Sequence, residues 1–170
     1  MYVTSNVGDV RATVHIHDAK LDRLASLIEE MAGEPLLVAY QFNHELERIL
    51  ARFPRALAIK GGMNKTDLQN TVAQWNTGNH ELLLVQPTAA ALGLNLQFGG
   101  CAICWFSLTY NLEEFVQLIA RLYRQGQTNV VRNYMILADK TIDGTIAKLM
   151  VTKDANQNTV FEGLKAYSNV

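Results

Sequence analysis

Cysteine is scarce in this chain of 170 residues, which contains two cysteines and four histidines. Two cysteines cannot build the disulfide framework of a small secreted domain. Cys101 and Cys104 fall in a predicted strand, where residues three apart point to opposite faces, so we interpret both as small buried apolar residues. His15 and His17 are close in sequence but have no further ligand nearby. We therefore predict no metal site.

The chain also has no excess of charge of either sign. It contains 15 lysines and arginines and 16 aspartates and glutamates, for a formal net charge of -1. This balance argues against a general polyanion binder but leaves a local basic groove possible. No charged residue occurs from position 82 to 112. Gln86, Pro87 and two adjacent glycines interrupt that stretch before it reaches the ~20 apolar residues of a membrane span. We predict buried strands and a loop there, and no secretory signal at the amino terminus.

The chain lacks the sequence GxxxxGK followed by Ser or Thr, and it has no adjacent acidic pair after a strand. The first motif cradles the phosphates of a nucleotide, and acidic side chains hold its magnesium. A nucleoside triphosphate used by this chain would therefore be bound mainly by something else.

Apolar runs and helical periodicities alternate along the chain, which predicts an α/β fold with a parallel sheet, helices on both faces and three α/β/α layers. Residues 1–17 are predicted to be an irregular lead-in with a short extended piece at 12–16, and residues 18–170 a single lobe. Asp18, Asn43, Asn64 and Asn111 are predicted helix caps, the last in a capping box with Glu114. The predicted strands are 36–40, 56–59, 82–85, 102–106 and 130–138, and 142–168 is predicted to be helical with a break near 154–158.

Ligands of parallel sheets bind beyond the carboxyl ends of the strands, so the loops there are candidates for function. Lys60 and Gly61 stand before a helix amino terminus, a geometry suited to phosphate contact. Thr88 offers a hydroxyl group, and Gly93 permits a tight backbone turn before Asn95. A packed turn and a solvated lysine are the simpler interpretations of these two loops.

Gln117, Arg121 and Arg124 are spaced i, i+4 and i+7, which predicts that they share one face of a helix. The opposite face is apolar. A guanidinium fork is the side chain best suited to phosphate, so two arginines aimed one way would form an anion clamp. Arginines near a helix carboxyl end are also favoured by the helix dipole alone. The apolar face consists of Leu112, Phe115, Val116, Ile119 and Leu122.

Taken in order, these pieces resemble the C-terminal helicase lobe of Swi/Snf-type ATPases of helicase superfamily two, and they are most similar to compact phage and prophage members. Residues 35–46 resemble motif IV, residues 82–96 resemble motif V, and residues 117–127 resemble motif VI. The resemblance implies a RecA-like fold. It also implies the second lobe of a DNA-dependent ATPase or translocase, whose P-loop lobe is the partner and is absent from this chain.

The resemblance also implies roles for individual residues. Arg121 and Arg124 would be arginine fingers that reach ATP held by the first lobe. Gln117, Gly93, Asn95 and Gln127 would lie at the ATP and lobe interface, and Gln41, Lys60, Gly61 and Thr88 would face the backbone of double-stranded DNA. ATP and Mg²⁺ are expected only in the complete two-lobe protein, so the lobe alone should be inactive. The expected setting is the cytoplasm of a bacterial or phage-infected cell, without a membrane.

The chain departs from the family pattern at three places. Gln86, Pro87 and Thr88 stand where motif V starts with Ser-Thr-Lys, and alanines replace its glycine pair. Tyr123 replaces the histidine of motif VI, which leaves both arginines in place. Two other interpretations remain open. One is a free-standing, non-enzymatic module that binds DNA or a protein, and the other is an unrelated small α/β phosphoryl- or nucleotide-transfer enzyme.

Overall fold

The computed structural model describes residues 2–7, 10–15 and 17–153. Strands and helices alternate from α1 onward, as the sequence predicts. The elements are β1 (Tyr2–Val7), β2 (Val10–His15), α1 (Ala19–Glu30), β3 (Leu36–Ala39), α2 (Asn43–Arg52), β4 (Leu57–Ile59), α3 (Lys65–Trp75), β5 (Leu82–Val85), a 3₁₀ helix (Pro87–Leu92), β6 (Ala102–Trp105), α4 (Leu112–Leu122), β7 (Arg132–Met135) and α5 (Ile142–Lys153).

The main sheet has five strands in the order β4-β5-β3-β6-β7, and every neighbouring pair is parallel. At its centre, Val38 of β3 pairs with Leu84 of β5 and with Cys104 of β6. All four residues of β3, β5 and β6 are buried, which explains why these strands are continuous apolar runs. All five strands therefore end at the same edge of the sheet.

Helices cover both faces of this sheet, because successive strand residues point in opposite directions. Leu36 and Val38 pack with α1 and α2 in one core. Leu37 and Ala39 pack on the other face, in a core that includes residues of α3, α4 and α5. The predicted three-layer α/β/α fold is therefore confirmed. No helix within residues 2–7, 10–15 and 17–153 has the length and hydropathy of a bilayer crossing.

Local details differ from the predictions. β1 and β2 pair antiparallel, with Thr4 opposite Thr13. Residues 2–7 and 10–15 are therefore strands and not the predicted irregular lead-in, and the predicted extended piece at 12–16 falls largely on β2. Asn43 is the first residue of α2 and its cap position is Phe42, so the predicted cap is displaced by one residue. The last strand is shorter than predicted. The break predicted near 154–158 lies outside the described residues, and the division at 17/18 into a lead-in and a lobe stays a prediction.

Two other predicted caps can be compared with the structure. The Asn64 side chain accepts a hydrogen bond from the Asp67 amide at 2.8 Å, so this cap is confirmed. Asn111 caps α4 through the Glu113 amide at 3.0 Å. The predicted capping box is wrong, because the Glu114 carboxylate accepts instead from the Thr109 hydroxyl at 2.9 Å.

Candidate functional site

Four predicted site residues lie at the carboxyl edge of the sheet. Gln41 follows β3, Lys60 and Gly61 follow β4, and Thr88 lies in the 3₁₀ helix after β5. Gln86, the residue directly after β5, connects the ends of β3, β4 and β5. Its Nε2 donates to the Gln41 carbonyl at 3.3 Å, and its backbone amide donates to the Ile59 carbonyl at 3.3 Å.

Gly61 stands close to the same glutamine, since a Cβ atom added to it would lie 3.6 Å from Gln86 Oε1. Lys60 and Thr88 are exposed at this edge. The structure therefore brings Gln41 and Gly61 together around Gln86. Sequence reasoning noted Gln86 as a departure from a motif and missed its part in joining three strand ends.

Glu45 is a second residue that sequence reasoning missed at this edge. Its carboxylate is buried and accepts hydrogen bonds from the backbone amides of Gln41 at 2.9 Å and Phe42 at 3.1 Å. The Ser107 hydroxyl donates to its other oxygen at 2.5 Å. Glu45 thus ties the loop after β3 to the loop after β6. A glutamate in the first turn of a helix is a capping signal that could have identified it.

A cavity of about 420 Å³ opens beside Gln41 and is lined by residues of α1, α2 and α5. Lys20 Nζ lies 2.6 Å from the Asp143 carboxylate and 3.3 Å from the Phe106 carbonyl that it donates to. Arg48 forms an ion pair with Asp18 near the same cavity. These pairs compensate the charge of both cations, which makes the cavity a poor phosphate site.

The arginine helix ends earlier than predicted. α4 stops at Leu122, and Tyr123 has left the helical conformation at φ -82 and ψ 76. Arg121 is in the last helical turn, whereas Arg124 lies beyond the helix and is exposed. The prediction that Arg124 shares a helix face with Gln117 is therefore wrong, because the backbone turns between them. Gln117 is half-buried, and its Nε2 donates to Glu113 Oε1 at 2.9 Å.

The segment after the 3₁₀ helix is bound to the end of α4. The Leu96 amide donates to the Arg121 carbonyl at 3.2 Å, and the Trp75 indole donates to the Leu96 carbonyl at 2.9 Å. Asn95 takes part through its backbone, whose carbonyl accepts from Asn76 Nδ2 at 2.8 Å. Gly93 opens this segment at φ +70, a conformation that favours glycine. The segment that contains Gly93 and Asn95 is thus bonded to the end of α4 through Leu96. The roles predicted for Gly93 and Asn95 stay predictions.

Gln127 fastens the turn that follows α4. Its Nε2 donates to the carbonyls of Gln97 at 2.9 Å and Gly100 at 3.0 Å, and its Oε1 accepts from the Asn129 amide at 3.0 Å. Gly100 lies just before β6, at the amino edge of the sheet. Gln41, Lys60, Gly61 and Thr88 thus follow β3, β4 and β5, whereas Gln117, Arg121, Arg124 and Gln127 belong to α4 and the turn after it. We call these the strand-end group and the arginine group.

Cys104 is buried as the sequence predicts, whereas Cys101 is only half-buried. Burial raises the pKa of the Cys104 thiol to about 12 and also raises the pKa of Cys101. Both are free thiols. Within the part of the chain that the structure describes, no group of three His, Cys, Asp or Glu residues is placed to hold a metal ion.

Comparison with known proteins identifies relatives over most of the chain. Residues 19–126 match the family described as the helicase conserved C-terminal domain. Protein p41 of Acyrthosiphon pisum secondary endosymbiont phage 1 is 35% identical over 162 residues, which are 92% of this chain and 34% of the phage protein. The chromatin-remodeling ATPase INO80 of Mycosarcoma maydis is 28% identical over 160 residues, 90% of this chain and 8% of that protein. The ATP-dependent helicase fft1 of Schizosaccharomyces pombe is 27% identical over 141 residues, 79% of this chain and 15% of that protein.

The chain thus spans about a third of the phage relative and less of the others. Among solved structures, the C-terminal part of the Fun30 ATPase domain superposes with a TM-score of 0.70 at 21% identity, covering 81% of this chain and 47% of that one. This likeness confirms the RecA-like fold predicted from the sequence. The chain belongs to the helicase conserved C-terminal domain family and is similar to the C-terminal helicase lobe of Swi/Snf-type ATPases.

Proposed function

We propose that this chain is the second lobe of a DNA-dependent ATPase or translocase and that Arg121 and Arg124 act on ATP held by a P-loop lobe that this chain does not contain. One observation carries the proposal. The hydrogen bond between the Leu96 amide and the Arg121 carbonyl ties the segment after β5 to the arginine end of α4. A ligand that engages the two arginines would therefore also act on this segment.

The chemistry of the arginines suits phosphoryl transfer. Charge spreads over the oxygens of the transferring phosphoryl group, and a planar guanidinium can donate two hydrogen bonds to them. Arg121 stands on a helix whose apolar residues anchor it in the core, and Arg124 is exposed on the following turn. ATP and Mg²⁺ belong to the complete protein, in which closure of the lobes would bring the fingers to the nucleotide. Gln117, Gly93, Asn95 and Gln127 would set the position of this end of the lobe.

The carboxyl edge of the sheet would face the DNA. Lys60 and Thr88 are exposed there and can contact phosphates, and the backbone of Gly61 leaves room for a close approach. Gln41 presents a loop that Glu45 and Gln86 hold in place. Contacts of this kind position a protein on a duplex without reading its sequence. Closure of the two lobes around ATP would then step the protein along the duplex. The phage relative favours the cytoplasm of a bacterial or phage-infected cell as the setting.

The test compares the 170-residue chain with the complete ATPase that contains it. The chain alone should hydrolyse no ATP, with or without DNA. In the complete ATPase, Arg121→Ala and Arg124→Ala should each lower DNA-stimulated turnover by about 10²–10⁴-fold, which is less than the 10³–10⁵-fold of a single arginine finger because two arginines share the effect. Arg124→Lys should not restore it, because an ammonium group lacks the planar fork.

The matched control is Arg55→Ala, which removes another exposed arginine from a turn outside both groups of residues. It should keep turnover within about twofold, as expected for a surface substitution. Circular dichroism and thermal unfolding establish that each variant is folded. Normal turnover in folded Arg121→Ala and Arg124→Ala proteins would contradict the proposal. ATP hydrolysis by the chain alone that disappears in Arg121→Ala would contradict it as well.

A further inference from the structure

Arg124 is held by something other than its helix, because α4 ends at Leu122. It belongs to residues 123–127, which we term the arginine turn. Gly126 in this turn has φ +99, a backbone conformation that side chains rarely adopt. A Cβ atom added to Gly126 would lie 3.1 and 3.3 Å from two carbons of the Phe98 ring. The Phe98 ring therefore lies directly against the turn, two residues from Arg124.

Phe98 is a large apolar side chain that remains 59% exposed. A side chain so exposed gains little from removal from water, so it contributes little to the core. The Phe98 ring nevertheless packs against Gly126, in the turn that carries Arg124. Its contact with Gly126 is therefore better explained as support for the turn than as part of the hydrophobic interior.

Hydrogen bonds hold the turn on both sides of this ring. Gln127 Nε2 donates to the Gln97 carbonyl before Phe98 and to the Gly100 carbonyl after it. Gln97 Nε2 in turn donates to the Gln125 carbonyl at 3.4 Å. Three hydrogen bonds and one ring contact thus connect the arginine turn with residues 97–100, which we term the supporting strap.

The supporting strap is itself fixed to the core. A Cβ atom added to Gly99 would lie 2.3 Å from Trp75 Nε1, so the backbone of the strap rests on the indole ring. Trp75 is fully buried and donates to the Leu96 carbonyl just before the strap. A rigid support therefore runs from the buried end of α3 to the exposed arginine turn.

We infer that Phe98 and Gln127 are positioning residues, which hold the arginine turn so that Arg124 reaches the phosphoryl group in the reactive geometry. The inference rests on the proposed function and adds a residue, Phe98, from outside the motifs recognised in the sequence. Misplacing a reacting group by about 1 Å can lower a rate on the order of 10²-fold, even when the substitution is remote from the chemistry. Loss of the Phe98 ring or of the hydrogen bonds that the Gln127 side chain donates should thus affect turnover much more than folding.

The experiment uses the complete ATPase and measures kcat and the KM for ATP with saturating DNA. Phe98→Ala and Gln127→Ala should each lower kcat by about 10–100-fold, with KM changed by less than about threefold, because the lost effect concerns geometry in the transition state. Phe98→Leu keeps an apolar side chain against Gly126 and should retain more activity than Phe98→Ala. The control is Leu137→Ala, which removes another exposed apolar side chain beyond β7 and should leave kcat unchanged.

A double-mutant cycle separates positioning from a general structural role. In an Arg124→Ala background, Phe98→Ala should lower kcat by less than about twofold further, because the arginine that it positions is gone. In the 170-residue chain, Phe98→Ala should raise hydrogen exchange of the amides of residues 123–127 by about fivefold, the scale of one lost stabilising contact, with an unchanged melting temperature.

The outcomes distinguish failure of this inference from failure of the proposed function. If Arg124→Ala keeps full turnover, the proposed function fails, and the positioning role fails with it. If Arg124→Ala abolishes turnover while Phe98→Ala and Gln127→Ala keep the normal kcat, only the positioning role is overturned. Two other results would also overturn it. One is a double variant whose loss of kcat is the product of the two single losses. The other is hydrogen exchange of the arginine turn that is equally slow in Phe98→Ala and in the unmodified chain.

Discussion

Gly99 is the position at which the smallest substitution should have the largest effect on folding. A Cβ atom there would lie 2.3 Å from Trp75 Nε1 and 2.5 Å from two carbons of the same ring, where ordinary contacts begin at 3.4 Å. The nearest atoms are thus the rigid indole ring and not the end of a flexible side chain. Gly99→Ala must therefore shift either a fully buried tryptophan or the backbone by about 1 Å, in an interior packed as densely as a crystal.

Two costs add in this variant and one gain opposes them. Overpacking of a core costs about 1–3 kcal/mol. Displacement of the indole also breaks its hydrogen bond to the Leu96 carbonyl, and an unsatisfied buried group costs a further ~1–3 kcal/mol. Alanine makes the unfolded chain less flexible, which returns about 0.4–1 kcal/mol. The free energy of unfolding should fall by about 1–5 kcal/mol, which corresponds to roughly 2–20 °C in melting temperature for a chain of this size.

The assay is urea-induced and thermal unfolding of the 170-residue chain. Gly144→Ala is the matched control, because a Cβ atom at this position in α5 meets nothing within 4 Å and alanine is the better helix former. This control should stabilise the chain or leave it unchanged. Trp75→Phe removes the ring edge that meets the new methyl group, so the double variant should be more stable than the sum of the single effects by at least about 1 kcal/mol.

Two results would refute this reasoning. One is a Gly99→Ala variant that unfolds within about 0.5 kcal/mol of the unmodified chain, which is the range of ordinary surface substitutions. The other is strict additivity with Trp75→Phe, because substitutions that do not share a contact add. Either result would show that the supporting strap does not rest on the indole ring.

Two further predictions concern pH and DNA. Burial raises the pKa values of Cys104 and Tyr40 to about 12, above their ordinary 9.0 and 10.0. The unfolded chain ionises these groups at lower pH, so the stability that they contribute is complete near pH 8 and is lost as pH rises toward 12. Cys104→Ala should therefore weaken the pH dependence of the free energy of unfolding, measured by urea unfolding between pH 8 and 11. Duplex DNA should bind the chain weakly and without sequence preference, with an affinity that falls with salt, and Lys60→Ala should reduce the magnitude of the salt slope by about 1. A free energy of unfolding that does not change with pH would contradict the prediction on the buried groups. A tight, salt-insensitive, sequence-specific complex would contradict the prediction on DNA and favour a dedicated binding module.

The layers of the fold could be predicted because burial leaves a simple mark on the sequence. The residues of β3, β5 and β6 are buried on both faces and therefore read as continuous apolar runs. The β1–β2 hairpin was missed because its residues mix polar and apolar types without a long apolar run. Two short runs separated by Gly8 and Asp9 were nevertheless a hairpin signal.

The end of α4 could not be predicted from periodicity. Residues 121–125 are compatible with a helix, so the spacing of Gln117, Arg121 and Arg124 implied a common face. The only local signal was Gly126, which commonly follows a helix end. What positions the turn is distant in sequence, because Gln127 bonds to Gly100 across 27 residues and the Phe98 ring lies against Gly126. Contacts of this kind leave no periodic pattern.

The same limit applies to the pairing of the site residues. Nothing in the spacing of Gly93 and Asn95 indicates that the segment containing them is bonded to the end of α4, and only the resemblance to a helicase lobe suggested that motifs V and VI meet. The physical cause is one hydrogen bond from Leu96 to the Arg121 carbonyl, together with the buried indole of Trp75 beneath Leu96. Helical periodicity marks Trp75 only as an apolar position, although its indole N–H donates the hydrogen bond that fixes Leu96.

The division between a rigid interior and an exposed end suits the proposed role, in which this lobe meets ATP that another lobe holds. The apolar side of α4 is buried, with Phe115, Leu118 and Leu122 fully enclosed, whereas Arg124 stands exposed on the turn that follows. A charged group that must enter a site in another lobe cannot be buried in its own. Arg124 must instead be held by contacts that persist when the water around it is displaced. The ring of Phe98 and the side-chain amide of Gln127 can supply such contacts. Removal of a residue that supports the arginine turn should thus lower turnover, although by less than removal of the arginine itself.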